Sequence, residues 1–208
     1  MIIYGTHACL SALENPSRAV HRVILNDKNL LSSLPDLKRG KKTIPVEILD
    51  KKQFAQKIGP DVVHQGIALE VDPLPTFDFD ILDTDETNQI VVVLDQVSDP
   101  HNIGAIMRSC AVFGVKAIIL CDRASPKETG ALVKTASGAF EIVPRILTTN
   151  LVSGLNALKK MNFWTVGFSE EAKEHLHEID LKGRIALVMG NEGDGIRRLT
   201  EKNCDFHV

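Results

Sequence analysis

Two apolar, β-branched runs in this chain each stop at a polar loop punctuated by glycine. The first reads VVVLDQVSDPHNIGAIMRSCAVFG over residues 91–114, and the second reads IALVMGNEGDGIRRLTEKNCD over residues 185–205. A short, continuous apolar run of this kind is a strand buried on both faces, and such strands belong to parallel sheets covered by helices. Polar residues appear only where each run ends. The chemistry is therefore expected at the carboxyl ends of the strands, where open α/β sheets bind their ligands.

The surrounding pattern agrees. From residue 90 onward, the strands IVVVLDQV, AIILCD, IVPRIL, FWTVGFS and RIALVMG alternate with helical stretches IGAIMRSCAVFG, ETGALVKTASGAF and LVSGLNALKKM, and a further helix is expected after Gly195. Such alternation implies a mostly parallel sheet with helices on both faces. A nucleotide-dependent oxidoreductase is the obvious competitor, but the first strand leads into DPHNIG and not into a GxGxxG loop. In DPHNIG, Pro100 stiffens the turn, Asn102 is expected to cap a helix beginning near Ile103, and Gly104 permits close approach. Arg108 lies one turn beyond Gly104 in a helix whose other positions, Ile106, Met107, Cys110, Ala111 and Phe113, are apolar. A cation so placed calls for an anionic or hydroxylic partner. In the second loop, GNEGDG, three glycines in six residues free the backbone to turn its amides toward a ligand, and Glu192 adds a carboxylate.

The first 71 residues read as a separate small α/β module: IIYG, the helical THACLSALEN, the strand RVILN, a helical or looped region, the strand PVEIL, the helix DKKQFAQKIG and the strand GIALEV. Residues 72–89, with two prolines and six acids but no base, read as a linker whose FDFDIL packs along a surface. Residues 90–208 form the second domain. The net charge of −3 is unusual for a protein that meets nucleic acid, yet residues 1–70 carry ten basic and seven acidic residues. Lys38, Arg39, Lys41 and Lys42 form a basic cluster that fits either a solvated loop or an RNA contact. His64 and Gln65, before Gly66, fit a turn ahead of an edge strand.

The N-terminal apolar stretch is too short for a secretory signal, and no segment offers about 18 consecutive apolar residues, so a cytoplasmic protein is expected. The cysteines Cys9, Cys110, Cys121 and Cys204 lack any CxxC pair and are expected to be reduced packing residues, with no metal site.

Together the DPHNIGAIMRS and VMGNEGDGIRRL segments resemble the first two signature motifs of the TrmH (SpoU) family of SPOUT RNA 2′-O-ribose methyltransferases. HRVILN and VHQGIALEV are similar to the substrate-binding domain of its RlmB-like branch, which modifies guanosine in 23S ribosomal RNA. The resemblance implies S-adenosylmethionine as cofactor, a deep trefoil knot, a homodimer and an RNA partner. It makes Arg108 the catalytic residue, with Asn102 positioning Arg108 or the ribose and Glu192 orienting the arginine or the RNA. Val188, Met189, Gly190, Asn191 and Gly193 frame the cofactor, and His64, Gln65, Lys41 and Lys42 meet the RNA. The family pattern continues into an SLNVSVA-like third motif, whereas this sequence stops at Val208. A non-catalytic RNA-binding protein of the same fold and a tRNA 2′-O-methyltransferase are the alternatives.

Overall fold

The computed structural model describes residues 1–40, 42–60, 62–123 and 126–208. In chain order the first elements are β1 (Ile2–Tyr4), α1 (Thr6–Glu14), β2 (Val20–Leu25), a 3-10 turn (Lys28–Ser33), β3 (Lys38–Arg39), β4 (Lys42–Thr43), β5 (Val46–Ile48), α2 (Lys51–Ile58) and β6 (Ile67–Val71). There follow a 3-10 turn (Phe79–Leu82), β7 (Gln89–Leu94), α3 (Pro100–Val112), β8 (Ala117–Cys121), α4 (Gly130–Ala136), α5 (Ala139–Ile142), β9 (Arg145–Thr148) and α6 (Leu151–Lys160). The chain continues through β10 (Phe163–Gly167), a 3-10 turn (Leu176–Glu178), β11 (Arg184–Met189), α7 (Arg198–Glu201) and β12 (Phe206–His207). No described helix is long and apolar enough to cross a membrane.

These elements form two compact units. The first comprises Met1–Pro75, Ile103–Arg108 and Lys127–Ile142. Its sheet runs β1-β6-β2-β5, antiparallel except for the β2–β5 pair. Phe54 of α2 packs with Ile24 and Ala68 on one face, while Cys9 and Ala12 of α1 are buried. β6 is an interior strand here, not the edge strand considered from sequence, because its apolar Ile67, Ala68 and Leu69 have partners in both β1 and β2. The region after β2 is a 3-10 turn followed by the β3–β4 hairpin. A sequence-local cap holds α2. Asp50 and Gln53 form a reciprocal capping box on α2, with the Gln53 N–H donating to Asp50 Oδ1 at 2.8 Å.

Arg18 is buried and donates through Nη1 to Glu128 and through Nη2 to Glu141, both at 2.5 Å, and Nη1 also reaches the Asp72 carbonyl at 2.9 Å. Glu141 in turn accepts from Asn15 Nδ2 at 2.8 Å, and Glu128 from the Leu74 N–H at 3.0 Å. Nearly every donor and acceptor in this buried cluster is used, which is the condition under which buried charge is tolerated.

The second unit comprises Thr76–Asn102, Ser109–Pro126 and Val143–Val208. Its six-stranded sheet has the order β12-β10-β11-β7-β8-β9 and every adjacent pair is parallel. The acid-rich segment that reads as a linker contributes to this unit: Leu82 is 1% exposed in the core beside Val91 and Ile146, and Phe77 bridges to Ile146. FDFDIL thus goes deeper than a surface contact, since Leu82 joins the same core cluster as Leu151, Leu155 and Leu158 of α6, with Phe79 and Ile81 packed against it.

Three local expectations are corrected. ETGALVKTASGAF is two helices, because Ser137 and Gly138 adopt left-handed φ values of 49° and 91° and end α4. In IVPRIL the strand begins only at Arg145, after Ile142 has closed α5 and Pro144, which lacks an N–H, has intervened. The helix after Gly195 is limited to the four residues of α7.

At the sheet edge, Asp205 accepts from Lys159 Nζ at 2.7 Å and from the Thr165 hydroxyl at 2.8 Å and N–H at 3.0 Å. Burial pushes its carboxyl pKa up, but Lys159 and Thr165 outweigh this and hold it below the ordinary aspartate range. A depressed folded-state pKa gives stability that is present above the unfolded pKa and lost as pH falls through the folded one. Asp205→Asn is therefore expected to unfold at lower urea than the parent at pH 7, the gap closing as pH drops below the aspartate range. A gap that stays constant down to the acid limit would exclude the carboxylate charge as its source. For Arg18→Met, removal of one partner leaves two buried carboxylates facing each other, and a loss of about 3–5 kcal/mol in urea unfolding is expected.

Candidate functional site

β7 and β11 are adjacent and parallel, with Val93 opposite Val188 and Leu94 opposite Met189. The two glycine loops therefore leave the sheet side by side at its carboxyl edge. β7 is also where the strand order reverses, since β8 and β9 lie on one side of it and β11, β10 and β12 on the other. Doubly wound sheets bind ligands at such a switch point.

In the second loop, Asn191 and Gly195 exchange both backbone hydrogen bonds, at 3.0 and 2.9 Å. That pair closes the turn on itself and brings Gly195 over Gly190. A Cβ at Gly190 would fall 1.9 Å from the Gly195 carbonyl carbon, so only glycine fits there. Gly193 at the tip has open space around its α-carbon. Beneath the loop, Val188 is fully buried and Met189 half-buried.

In the first loop the helix cap is Asp99, not Asn102. Asp99 Oδ1 accepts the His101 N–H at 2.9 Å and Pro100 occupies the first turn, so α3 begins two to three residues earlier than its apolar pattern suggests. Relieved of capping, the Asn102 side chain reaches the other loop. Its Nδ2 donates to Glu192 Oε2 at 3.3 Å. Asn102 and Glu192 are thus brought together, joining the loops through their polar side chains.

Arg108 is exposed on α3 and donates through Nη1 to the Thr135 carbonyl. Its partner is a backbone carbonyl in place of the anionic or hydroxylic group expected from sequence, because Gly104, one turn earlier on α3, lets α4 approach closely. A Cβ at Gly104 would meet Thr135 Cγ2 at 2.7 Å and the Ala136 nitrogen at 2.9 Å. Six residues at about 100° each put Arg108 roughly 120° around the helix from Asn102, so the two side chains leave α3 in different directions.

Of the N-terminal candidates, Gln65 (φ 55°) accepts the Thr6 N–H on Oε1 at 2.9 Å, serving as the side-chain cap that Gly5 cannot supply to α1. His64 Nδ1 accepts the Gly66 N–H at 3.0 Å, and its ring lies 4.5 Å from that of Phe54. Lys42 is exposed in the β3–β4 hairpin. Lys41 lies outside the described residues.

Sequence reasoning missed one group. Asp95, the residue after β7, is fully buried and accepts both the Arg197 N–H at 3.1 Å and Arg197 Nε at 2.7 Å. An acid directly after a wholly apolar run was the available signal, since a buried carboxylate must have a partner. The four cysteines are free and buried; burial pushes the thiols of Cys110 and Cys204 up to about 11, which removes thiolate chemistry from both.

Comparison with known proteins agrees with this geometry. Residues 89–208 match the SpoU rRNA Methylase family, and residues 2–77 match the RNA 2'-O ribose methyltransferase substrate binding family. The chain is 41% identical to the 23S rRNA (guanosine-2'-O-)-methyltransferase RlmB of Pasteurella multocida, an alignment covering 98% of this chain and 85% of the relative. It is 36% identical to the protein of the same name from Escherichia coli, covering 98% and 86%. Among solved structures, the SpoU methyltransferase AviRb from Streptomyces viridochromogenes, in complex with AdoMet, superposes with a TM-score of 0.78 at 18% identity, covering 100% of this chain and 79% of that one. An rRNA methyltransferase from Sinorhizobium meliloti superposes at 0.79 and 18%, covering 99% and 76%. At those identities the structures establish the shared fold. Both loops and their pairing lie inside the matched 89–208 segment, and the chain belongs to the SpoU rRNA methylase family.

Proposed function

We propose that this protein transfers the methyl group of S-adenosylmethionine to the 2′-hydroxyl of a guanosine ribose in 23S ribosomal RNA. The observation that carries the reading is the Asn102–Glu192 hydrogen bond, which ties the two glycine loops together at the carboxyl edge of adjacent strands. Family membership and the names of the relatives support the RNA class. The loop fits the cofactor: Gly190 and the Asn191–Gly195 pair hold the turn closed, Gly193 offers backbone to a ligand, and Val188 and Met189 supply an apolar wall beside Asn191. When bound, S-adenosylmethionine supplies a methyl group on a sulfonium, already a good leaving group.

What the chain must add is alignment and help with the hydroxyl proton. Arg108 is the catalytic residue in this reading. A guanidinium stays protonated, so it acts by stabilising negative charge on the ribose oxygen while the 2′-hydroxyl proton passes to a neighbouring RNA phosphate. Its exposure and its one hydrogen-bond partner among the described residues, the Thr135 carbonyl, leave its remaining donors to a substrate. Asn102 and Glu192 hold each other and orient the ribose. Residues 1–71 select the RNA, with His64, Gln65, Lys41 and Lys42 near it; residues 72–89 connect; residues 90–208 carry the chemistry. A homodimer belongs to the same reading, and sedimentation velocity checks it.

Arg108→Ala is expected to lower the single-turnover methylation rate on a 23S fragment by about two to three orders of magnitude, the range for loss of one charge-stabilising donor, while leaving the cofactor Kd unchanged. Near-normal turnover would remove Arg108 from the mechanism, and label on a base in place of a ribose would refute 2′-O chemistry. Gly190→Ala is expected to abolish cofactor binding in calorimetry while the first unit keeps its own unfolding transition. Retained binding would place the cofactor elsewhere.

A further inference from the structure

A cavity of about 280 Å³ lies at the carboxyl ends of β8 and β9, lined by Cys121, Thr149 and Asn150 on one side and by Arg197, Arg198 and Leu199 on the other. It is distinct from the Gly190–Gly195 turn, none of whose residues lines it. Several other cations of this unit are already spent on partners. Lys116 is paired with Glu86, Lys159 with Asp205 and Lys182 with Asp180, while Arg184 is spent on the carbonyls of Thr84, Glu86 and Met161.

Arg197 is held from behind. Fully buried Asp95 takes its Nε and its backbone N–H, so the guanidinium plane is fixed while the side chain stays 47% exposed. Both hydrogen bonds that Asp95 accepts come from Arg197, and moving the arginine would strand a buried carboxylate. The terminal amino groups of Arg197 are thereby preorganised, since a side chain normally loses rotamer freedom when it grips a ligand and this one has already lost it. Arg198, exposed and without an ion pair among the described residues, adds a full positive charge that Asp95 does not cancel.

We propose that this cavity is a phosphate subsite for the RNA backbone, with Arg197 and Arg198 as its ligands and Asp95 as the positioning residue. The inference rests on the RNA methyltransferase reading and extends it by giving the substrate strand a fixed point two residues after Gly195, at the end of the turn assigned to the cofactor. A volume near the lower limit of small-ligand pockets suits one phosphodiester and part of its nucleotide, and the aliphatic Leu199 offers a surface to the sugar or base. A planar fork held by a buried carboxylate matches phosphate oxygens in pairs. The arrangement also answers the charge objection, because an acidic chain needs only a few correctly placed cations to fix the register of a strand.

The test is the salt dependence of binding, by fluorescence anisotropy, of a labelled 23S fragment to the full chain. Loss of one phosphate contact lowers the slope of log K against log [salt] by about 0.7–0.9. Arg198→Ala is expected to lower the slope by that amount and to weaken binding several-fold at low salt; Arg198→Lys should recover the slope, because the charge returns. Asp95→Asn keeps both arginines and is expected to raise KM for RNA by a larger factor than it changes kcat. Lys182→Ala, before β11 at the opposite edge, should leave the slope at the parent value. An Arg198→Ala slope equal to that of the parent would overturn the subsite while leaving the methyltransferase reading intact. A parent chain that does not bind the fragment at all would overturn both.

Discussion

The parallel pairing of β7 with β11 is the constraint on which the rest depends. Five of the six residues of β7 and three of those of β11 are buried, so sliding either strand by one residue would exchange the side chains packed on its two covered faces and lose their fit. Register therefore fixes where both strands end, with Leu94 opposite Met189. Everything polar in the site hangs from that level. Asp95 follows Leu94 and donates its N–H to the Met189 carbonyl at 2.8 Å, and Gly190 follows Met189 and opens the turn. A shift of one residue would separate Asn102 from Glu192 and expose Asp95 to the core without Arg197.

Given that register, the turn between Gly190 and Arg197 is fixed at both ends. At the start, the Gly190–Gly195 approach admits no side chain, and the Asn191–Gly195 pair closes the ring. At the far end, Asp95 clamps Arg197. Between these points Glu192 and Gly193 face outward, with Glu192 steadied by Asn102. A loop built in this way is rigid in its frame and open at its tip, which suits a site that must hold one molecule and admit another.

Much of this was legible in the sequence, because a buried parallel strand is written as a continuous apolar run and its end as the first polar residue. Five strands of the six-stranded sheet and the two loops follow from that reading, while the two-residue β12 beside β10 does not. What could not be read is where side chains go once the chain has turned. Asn102 reads as a cap because it precedes the apolar period, yet Asp99 captured the helix end three residues earlier and freed Asn102 for Glu192. Gln65 reads as a polar turn residue, but its role as the cap of α1 joins positions 59 residues apart. Asp95 gave a signal that pointed to a partner without naming Arg197, 102 residues away. Local rules assign elements and faces; long-range polar pairings depend on register, which only the assembled sheet supplies.

The charged groups of the two units sort by how completely they are satisfied, and that separates framework from function. Arg18 uses its guanidinium on Glu128, Glu141 and the Asp72 carbonyl, and its side chain has no exposure left. Nothing remains for a ligand, so its role is to hold unit one together. Arg184 is similar, spent on three carbonyls. Arg197 and Arg108 differ because each is anchored at one point and open elsewhere, Arg197 by Asp95 and Arg108 by the Thr135 carbonyl. An anchored cation with unspent donors costs little further entropy when it meets an anion, whereas a free surface lysine must give up most of its rotamers. In a chain whose net charge is −3, half-committed arginines of this kind, Arg108 in the first unit and Arg197 in the second, offer positive charge without a broad basic face.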